Sequence, residues 1–181
     1  MHFTLGELLL DLVQNAANAG AQTVRVSVRE GNGRFAMTVS DDGAGMSPRD
    51  VRRATDPFFT DRRSHPDRGV GLGLAFLGQT AEATDGSFRL QSKVGEGTIV
   101  GIDCPAGHVD LPPLGDPVET FVAVLCTERV GEIEISRDAG ESAYTLRKSE
   151  LNEVLGDLSS VEARGLLREY VRSQEEEIWR R

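Results

Sequence analysis

The opening residues carry the hydrophobic spacing of an amphipathic helix. Thr4 and Glu7 form a capping box, and apolar residues then recur every three to four positions until Gly20, which favours the end of a helix. A polar row with the same spacing contains Asp11 and Asn15, so we expect both side chains on one side of this helix.

Beyond this helix, the chain contains two kinds of pattern. Some stretches alternate apolar and polar residues, which is typical of strands, and others have the three-to-four spacing of helices. The alternation predicts strands over residues 23–28, 35–40, 87–92, 98–103, 121–126, 131–136 and 143–146. The helical spacing predicts helices over residues 48–54, 71–84, 149–158 and 160–181. A Gly-Asn-Gly turn joins the first two strands, so we expect them to pair as a hairpin.

A segment rich in proline and glycine, residues 106–118, divides the chain into two unequal parts. We expect a larger domain over residues 1–105 and a small C-terminal α+β region over residues 119–181.

Composition narrows the functional classes. The chain has 20 Lys and Arg against 29 Asp and Glu, and the net charge of -9 argues against direct nucleic-acid binding. The sequence has neither a signal peptide nor an apolar run that would span a membrane, so we expect a cytoplasmic protein without membrane contact. Cys104 and Cys126 lie outside any C-x-x-C pattern, which argues against zinc and leaves a disulfide open.

The second predicted strand ends in a run of aspartate and glycine. Asp41 is followed by Gly43, Gly45 and Met46. A buried carboxylate at this point can accept a hydrogen bond from the exocyclic amine of adenine, and glycines let the backbone approach a flat ring. The alternative is an ordinary turn built from Asp and Gly.

A second glycine-rich run precedes the helix predicted from residue 71. It consists of Gly69, Val70, Gly71, Leu72, Gly73 and Leu74. Glycines expose backbone amides, and the N-terminus of the helix adds positive potential, which suits phosphate oxygens. The run lacks the Gly-Lys-Ser/Thr ending of a Walker A motif, and it follows a charged loop rather than the strand that a dinucleotide-binding fingerprint requires.

Two further polar residues stand where nucleotide chemistry would use them. The carbonyl oxygen of Asn15 suits Mg²⁺, which takes few protein ligands and keeps several waters. The alternative for Asn15 is a place on the solvated face of the helix. Thr98 follows a Gly-Glu-Gly turn at the start of a strand, where threonine is also common for its β-propensity alone.

Taken in order, residues 11–15, 41–45, 69–74 and 95–98 resemble the ATP-binding domain of the GHKL superfamily, which DNA gyrase, heat-shock chaperones, histidine kinases and MutL share. The resemblance covers roughly residues 4–104. It is closest to histidine-kinase-like ATPase domains, because residues 56–60, with Phe58, are similar to the phenylalanine box of histidine kinases. Residues 56–68 would then be the ATP lid.

The resemblance implies a fold and a set of roles. The fold is an α/β two-layer sandwich of the Bergerat type, a mixed sheet with helices on one face, here with a small C-terminal α+β appendage. The ligands are ATP and Mg²⁺, with Asn15 as the metal ligand. Asp11 stands where gyrase and MutL have a glutamate that acts as general base, and where most histidine kinases have an asparagine. The implied nucleotide-binding residues are Asn15, Asp41, Gly43, Gly45, Met46, Phe58, Gly69, Val70, Gly71, Leu72, Gly73, Leu74 and Thr98.

Three functions are compatible with these residues. The first is a Mg²⁺-dependent ATPase or ATP-driven switch that acts on a protein partner, which Asp11 favours. The second is a protein kinase that phosphorylates a histidine or serine on a separate protein. The third is a nonenzymatic ATP-sensing subunit of a larger complex.

Overall fold

The computed structural model describes residues 4–55 and 72–178, which form a mixed sheet and the helices that cover it. The strands are β1 Thr23–Gly31, β2 Arg34–Asp41, β3 Ser87–Lys93, β4 Gly97–Pro105, β5 Glu132–Asp138 and β6 Ala143–Arg147. The helices are α1 Leu5–Asn18, α2 Pro48–Ala54, α3 Leu72–Ala83, α4 Pro117–Leu125, α5 Lys148–Leu155 and α6 Val161–Ile178. The predicted α/β sandwich, with a mixed sheet, is confirmed.

The strands lie in the order β3-β4-β2-β1-β5-β6. β1 and β5 are parallel, and the other neighbouring strands pair antiparallel. Side chains of β1 alternate, so that Val24, Val26 and Val28 are buried while Arg25 and Arg29 are exposed. This alternation is the expected pattern of a sheet that is covered by helices on one face and hydrated on the other.

Helix α1 forms where its capping box predicts. The hydroxyl of Thr4 accepts from the Glu7 amide at 3.1 Å, and the Glu7 carboxylate accepts from the Thr4 amide at 2.8 Å. The next two free amides donate to carbonyls of the proline-rich segment, from Leu5 to Pro113 and from Gly6 to Leu114. The start of the helix is therefore held both by its own sequence and by a distant part of the chain.

One secondary-structure prediction is wrong. The sequence predicts a strand over residues 121–126, but residues 121–125 belong to α4 and Cys126 is its C-cap. The Asp116 side chain accepts from the amides of Val118 and Glu119, and Pro117 occupies the first turn, so this end is a well-capped helix start. Phe121, Val122, Val124 and Leu125 are all buried, so the helix lacks the polar face that would have given it a helical period.

The C-terminal strands extend the sheet of the first part. β5 lies beside β1 with Thr23 opposite Glu132, and β6 closes the edge of the sheet. The division into residues 1–105 and 119–181 stays a prediction. Within residues 4–55 and 72–178, no helix has both the length and the apolar character that crossing a membrane requires.

Candidate functional site

The carboxylate of Asp41 lies at the end of β2, opposite Thr98 at the start of β4. Its Oδ1 accepts from the Gly43 amide at 2.8 Å, and the carboxyl also accepts a backbone hydrogen bond from Thr98. Partial burial raises the pKa of Asp41 above its usual range, and these hydrogen bonds oppose that shift in part. The side chain is thus half-buried, fixed by the backbone, and poor in solvent.

Two glycines allow the backbone to close tightly around Asp41. Gly45 has φ 64°, and a Cβ at this residue would lie 2.0 Å from the carbonyl oxygen of Lys93. Gly97 has φ 87°, and a Cβ there would lie 1.9 Å from the carbonyl oxygen of Asp41. The loop after β2 and the turn between β3 and β4 therefore pack backbone against backbone, and both positions require glycine.

Asp42 is not among the site residues predicted from the sequence, although it belongs to the same loop. Its Oδ1 accepts from the amides of Gln22 and Thr23, at 2.7 Å and 2.9 Å. The Thr23 hydrogen bond, foremost, holds the pKa of Asp42 below its usual range. This exposed carboxylate ties the loop to the start of β1 and leaves Asp41 as the inward-facing acid.

A hydroxyl pair completes this side of the site. Ser92 on β3 lies opposite Thr98 on β4, and their oxygens are 2.8 Å apart. The Ser92 hydroxyl also accepts from the Met46 amide at 2.8 Å. Ser92 was not recognised in the sequence, although the short turn between the two predicted strands already indicated that it faces Thr98.

Asp11 and Asn15 lie together on α1, as their spacing predicted. The Asn15 amide Nδ2 donates to Asp11 Oδ2 at 3.2 Å. Both residues are half-buried, and burial raises the pKa of Asp11. The Asp11 carboxylate also faces the start of α3, where a Cβ on Gly73 would lie 2.3 Å from Asp11 Oδ2.

The glycine-rich run is described only at its end. Helix α3 begins at Leu72, and both Gly73 and Leu74 are buried. The predicted site residues Phe58, Gly69, Val70 and Gly71 lie outside the described residues, as does the predicted lid.

The described side chains fit an adenine nucleotide with Mg²⁺. Because the Asn15 amide nitrogen donates to Asp11, its carbonyl oxygen is turned away from that carboxylate and can serve a metal ion. The described residues contain no group of three or more His, Cys, Asp and Glu that could hold a metal ion.

A separate cavity of about 250 Å³ has walls that include Leu5, Phe35 and Leu114. Asp11, Asn15, Asp41 and Thr98 do not line it.

Residues 3–108 match the family described as histidine kinase-, DNA gyrase B-, and HSP90-like ATPase. The match covers more than half of the 181 residues, and the chain belongs to this family of ATP-binding domains. The resemblance drawn from the four motifs is confirmed.

The chain is similar to several curated bacterial proteins, some of which are named as sensors. A non-motile and phage-resistance protein of Caulobacter vibrioides is 34% identical over 112 residues, 58% of this chain and 13% of the relative. Sensor histidine kinase ZraS of Salmonella typhimurium is 35% identical over 104 residues, 56% of this chain and 22% of the relative. Sensor protein ChvG of Rhizobium meliloti is 34% identical over 113 residues, 57% of this chain and 20% of the relative. The chain spans less than a quarter of the length of each of these relatives.

Among solved structures, a match is the histidine kinase domain of a blue-light activated histidine kinase from Erythrobacter litoralis. It is 25% identical, with a TM-score of 0.29, and the match covers 46% of this chain and 32% of that chain.

Proposed function

We propose that this protein binds ATP with Mg²⁺ and acts as an ATPase or ATP-driven switch on a partner protein. The observation that carries the proposal is the half-buried Asp41 carboxylate, held by the backbone of Gly43 and Thr98 at the end of β2. A partly desolvated, fixed acceptor of this kind suits the exocyclic amine of adenine, since the amine gains more from it than from a fully hydrated surface aspartate.

The other predicted residues surround this contact. Thr98 lies beside Asp41 and would complete the contact with the adenine base. Met46 would pack against the same base. Gly43 and Gly45 would let the backbone approach the ring, and Asn15 would hold Mg²⁺. The phosphates would meet the amides of the glycine-rich run, residues 69–74, and Phe58 would belong to the lid.

Asp11 is the proposed general base for hydrolysis. Its hydrogen bond with Asn15 orients the carboxylate toward the proposed metal ligand. Burial raises the pKa of Asp11, which makes the ionised carboxylate a better proton acceptor than an ordinary surface aspartate. When bound, Mg²⁺ would supply positive charge to the phosphates. Asp11 would orient the attacking water and accept its proton.

A second candidate is a protein kinase that phosphorylates a separate protein. It is supported by the relative from Salmonella typhimurium, which is named as a sensor histidine kinase. A third candidate, an ATP-sensing subunit, would use the same nucleotide contacts without chemistry.

The test incubates the purified chain with γ-labelled ATP and Mg²⁺, alone and with fractions of a bacterial lysate. Released phosphate supports the ATPase, label on another protein supports the kinase, and ATP binding without either supports the sensor. Asp41→Ala should weaken ATP binding by at least about tenfold, the factor that the loss of one buried hydrogen bond gives.

Asp138→Ala is the matched control. Asp138 ends β5 as Asp41 ends β2, and its Oδ1 accepts from the Gly140 amide at 2.9 Å. Asp138 lies toward the opposite end of the sheet, because β5 runs antiparallel to β2. Binding that survives Asp41→Ala undiminished, or that weakens equally in Asp138→Ala, would overturn the proposed site.

A further inference from the structure

The hydroxyl of Ser92 makes three polar contacts at once. It lies 2.8 Å from the Met46 amide nitrogen, 3.0 Å from the Gly97 carbonyl oxygen and 2.8 Å from Thr98 Oγ1. Ser92 is half-buried near the end of β3. It touches both the loop after Asp41 and the first two residues of β4.

The three contacts determine which atom carries each hydrogen. An amide nitrogen only donates and a carbonyl oxygen only accepts, so Ser92 accepts from Met46 and donates its one hydrogen to Gly97. Thr98 must then donate its own hydroxyl hydrogen to Ser92. This is the arrangement that satisfies all three contacts.

A consequence follows for Thr98. With its hydrogen committed to Ser92, the Thr98 hydroxyl offers lone pairs to any further partner. Asp41, its neighbour across the β2–β4 pair, is an acceptor when ionised. Two acceptors therefore lie side by side where β2 ends and β4 begins, and a partner that meets both must bring hydrogens.

We propose that Ser92 is a positioning residue that makes the site selective for a 6-amino purine by holding Thr98 as an acceptor. This inference rests on the proposed nucleotide site. The 6-amino group of adenine carries two hydrogens, one for each acceptor. A 6-oxo purine places lone pairs opposite the same two acceptors, so its binding leaves them unpaired.

Selectivity separates this role from a purely structural one. Ser92 also connects Met46 to the β3–β4 turn through hydrogen bonds, so its loss should weaken the binding of every nucleotide to some degree. Structural damage of that kind lowers the affinity for 6-amino and 6-oxo purines by the same factor. Release of the Thr98 hydrogen instead lets Thr98 donate to a 6-oxo group, which changes the ratio of the two affinities.

The experiment measures equilibrium binding of ATP and inosine triphosphate to the full chain. The wild-type protein should prefer ATP, and Ser92→Ala should narrow this preference about tenfold. Ser92→Thr keeps a hydroxyl at the same point of the strand and should retain the wild-type preference. Thr98→Val should narrow the preference as well, and adding Ser92→Ala to Thr98→Val should change it no further, since Ser92 acts through Thr98.

An equal loss for both nucleotides in Ser92→Ala would overturn the inference, as would a further narrowing in the double variant. If Ser92→Ala does not fold, Ser92→Cys replaces it. A thiol of similar size hydrogen-bonds weakly, and an unchanged preference in that variant would also contradict the role. If the wild-type chain binds ATP but Ser92→Ala leaves the preference for ATP over inosine triphosphate unchanged, this inference fails and the proposed function stands. If the wild-type chain does not bind ATP, the proposed function itself fails.

Discussion

Gly73, in the first turn of α3, lies directly against the carboxylate of Asp11 on α1. A Cβ at Gly73 would be 2.3 Å from Asp11 Oδ2, well inside van der Waals contact. The absence of a side chain at Gly73 therefore allows α1 and α3 to pack closely, in addition to the predicted approach of the backbone to phosphate. This contact also links two motifs that are about sixty residues apart in the chain.

Gly73→Ala should give a less stable protein than Gly78→Ala, which changes a second glycine of the same helix. The added methyl group must push Asp11 aside and break its hydrogen bond to Asn15. Gly78→Ala is the matched control, because its Cβ would meet Phe88 at an ordinary 3.9 Å. Alanine favours a helix by up to about 1 kcal/mol over glycine, so Gly78→Ala should stabilise while Gly73→Ala loses that gain.

Chemical denaturation of the two variants measures this difference. Combining Gly73→Ala with Asp11→Ala should recover the stability lost, since the shortened side chain leaves room for the methyl group. An equal stabilisation by both single glycine variants would show that the contact between α1 and α3 is without energetic consequence.

Gly97→Ala should be much more damaging than Gly95→Ala. Both glycines have positive φ, 87° and 79°, so each substitution carries a similar backbone strain. A Cβ at Gly97 would in addition lie 1.9 Å from the Asp41 carbonyl oxygen, whereas one at Gly95 would have nothing within 4 Å. We expect a further loss of about 1–3 kcal/mol for Gly97→Ala, the usual cost of overpacking, together with weaker ATP binding. Thermal unfolding and ATP titration measure both effects, and equal losses in the two variants would contradict the close approach.

Asp11→Asn should abolish ATP hydrolysis while leaving ATP affinity nearly unchanged. The amide keeps the size of the carboxylate but cannot accept a proton from water. Phosphate release and equilibrium binding, measured on the same preparation, separate the two effects. Unchanged turnover would exclude Asp11 as the base, and a large loss of affinity would give it a role in binding instead.

ATP binding should weaken as the pH falls through the pKa of Asp41. Burial raises this pKa above its usual range, so protonation begins at a higher pH than for an ordinary aspartate, and the protonated acid is a poorer acceptor for the amine. The effect of Asp41 on stability has the opposite sign. Because the folded state holds this proton more tightly than the unfolded state, Asp41 stabilises the fold increasingly as the pH falls toward its unfolded pKa.

The measurement compares the wild-type chain with Asp41→Asn from neutral to acidic pH. On acidification, the unfolding free energy of the wild type should rise relative to that of Asp41→Asn. Over the same pH range, the advantage of the wild type over Asp41→Asn in ATP affinity should shrink. If both differences move in the same direction, Asp41 is not the group responsible.

Arg137 on β5 should matter far more for stability than Arg147 on β6. Arg137 is 1% exposed and contacts Glu30 and Glu175, both at 3.3 Å. Arg147 contacts two carboxylates at 2.9 Å, but its side chain is 47% exposed. Arg137→Ala leaves the 7%-exposed Glu175 without its ion pair and should cost about 3–5 kcal/mol, whereas Arg147→Ala should cost under about 1 kcal/mol.

Urea denaturation of the two alanine variants provides the comparison. Arg137→Met, which fills the same volume, should lose less than Arg137→Ala if packing contributes. Similar losses in Arg137→Ala and Arg147→Ala would mean that burial of this ion pair does not govern its energy.

Local features allowed the elements nearest the site to be predicted from the sequence. The capping box of Thr4 and Glu7 and the helical spacing after it located α1, and the glycine turns located the β1–β2 and β3–β4 hairpins. These signals are local, since they depend on residues within a few positions of one another. The same locality explains the error at α4, where an apolar run without a polar face concealed a helical period.

The sequence by itself determined which residue types stand at the four motifs, and hence the family and its nucleotide. Tertiary structure alone decided that β5 joins β1 in parallel and that the Gly73 position faces Asp11. It also decided that Arg137 is buried and that the hydroxyl of Ser92 binds Met46, Gly97 and Thr98 together. These relationships join residues on separate elements, and their distances depend on how the whole core packs, which no local pattern of spacing encodes.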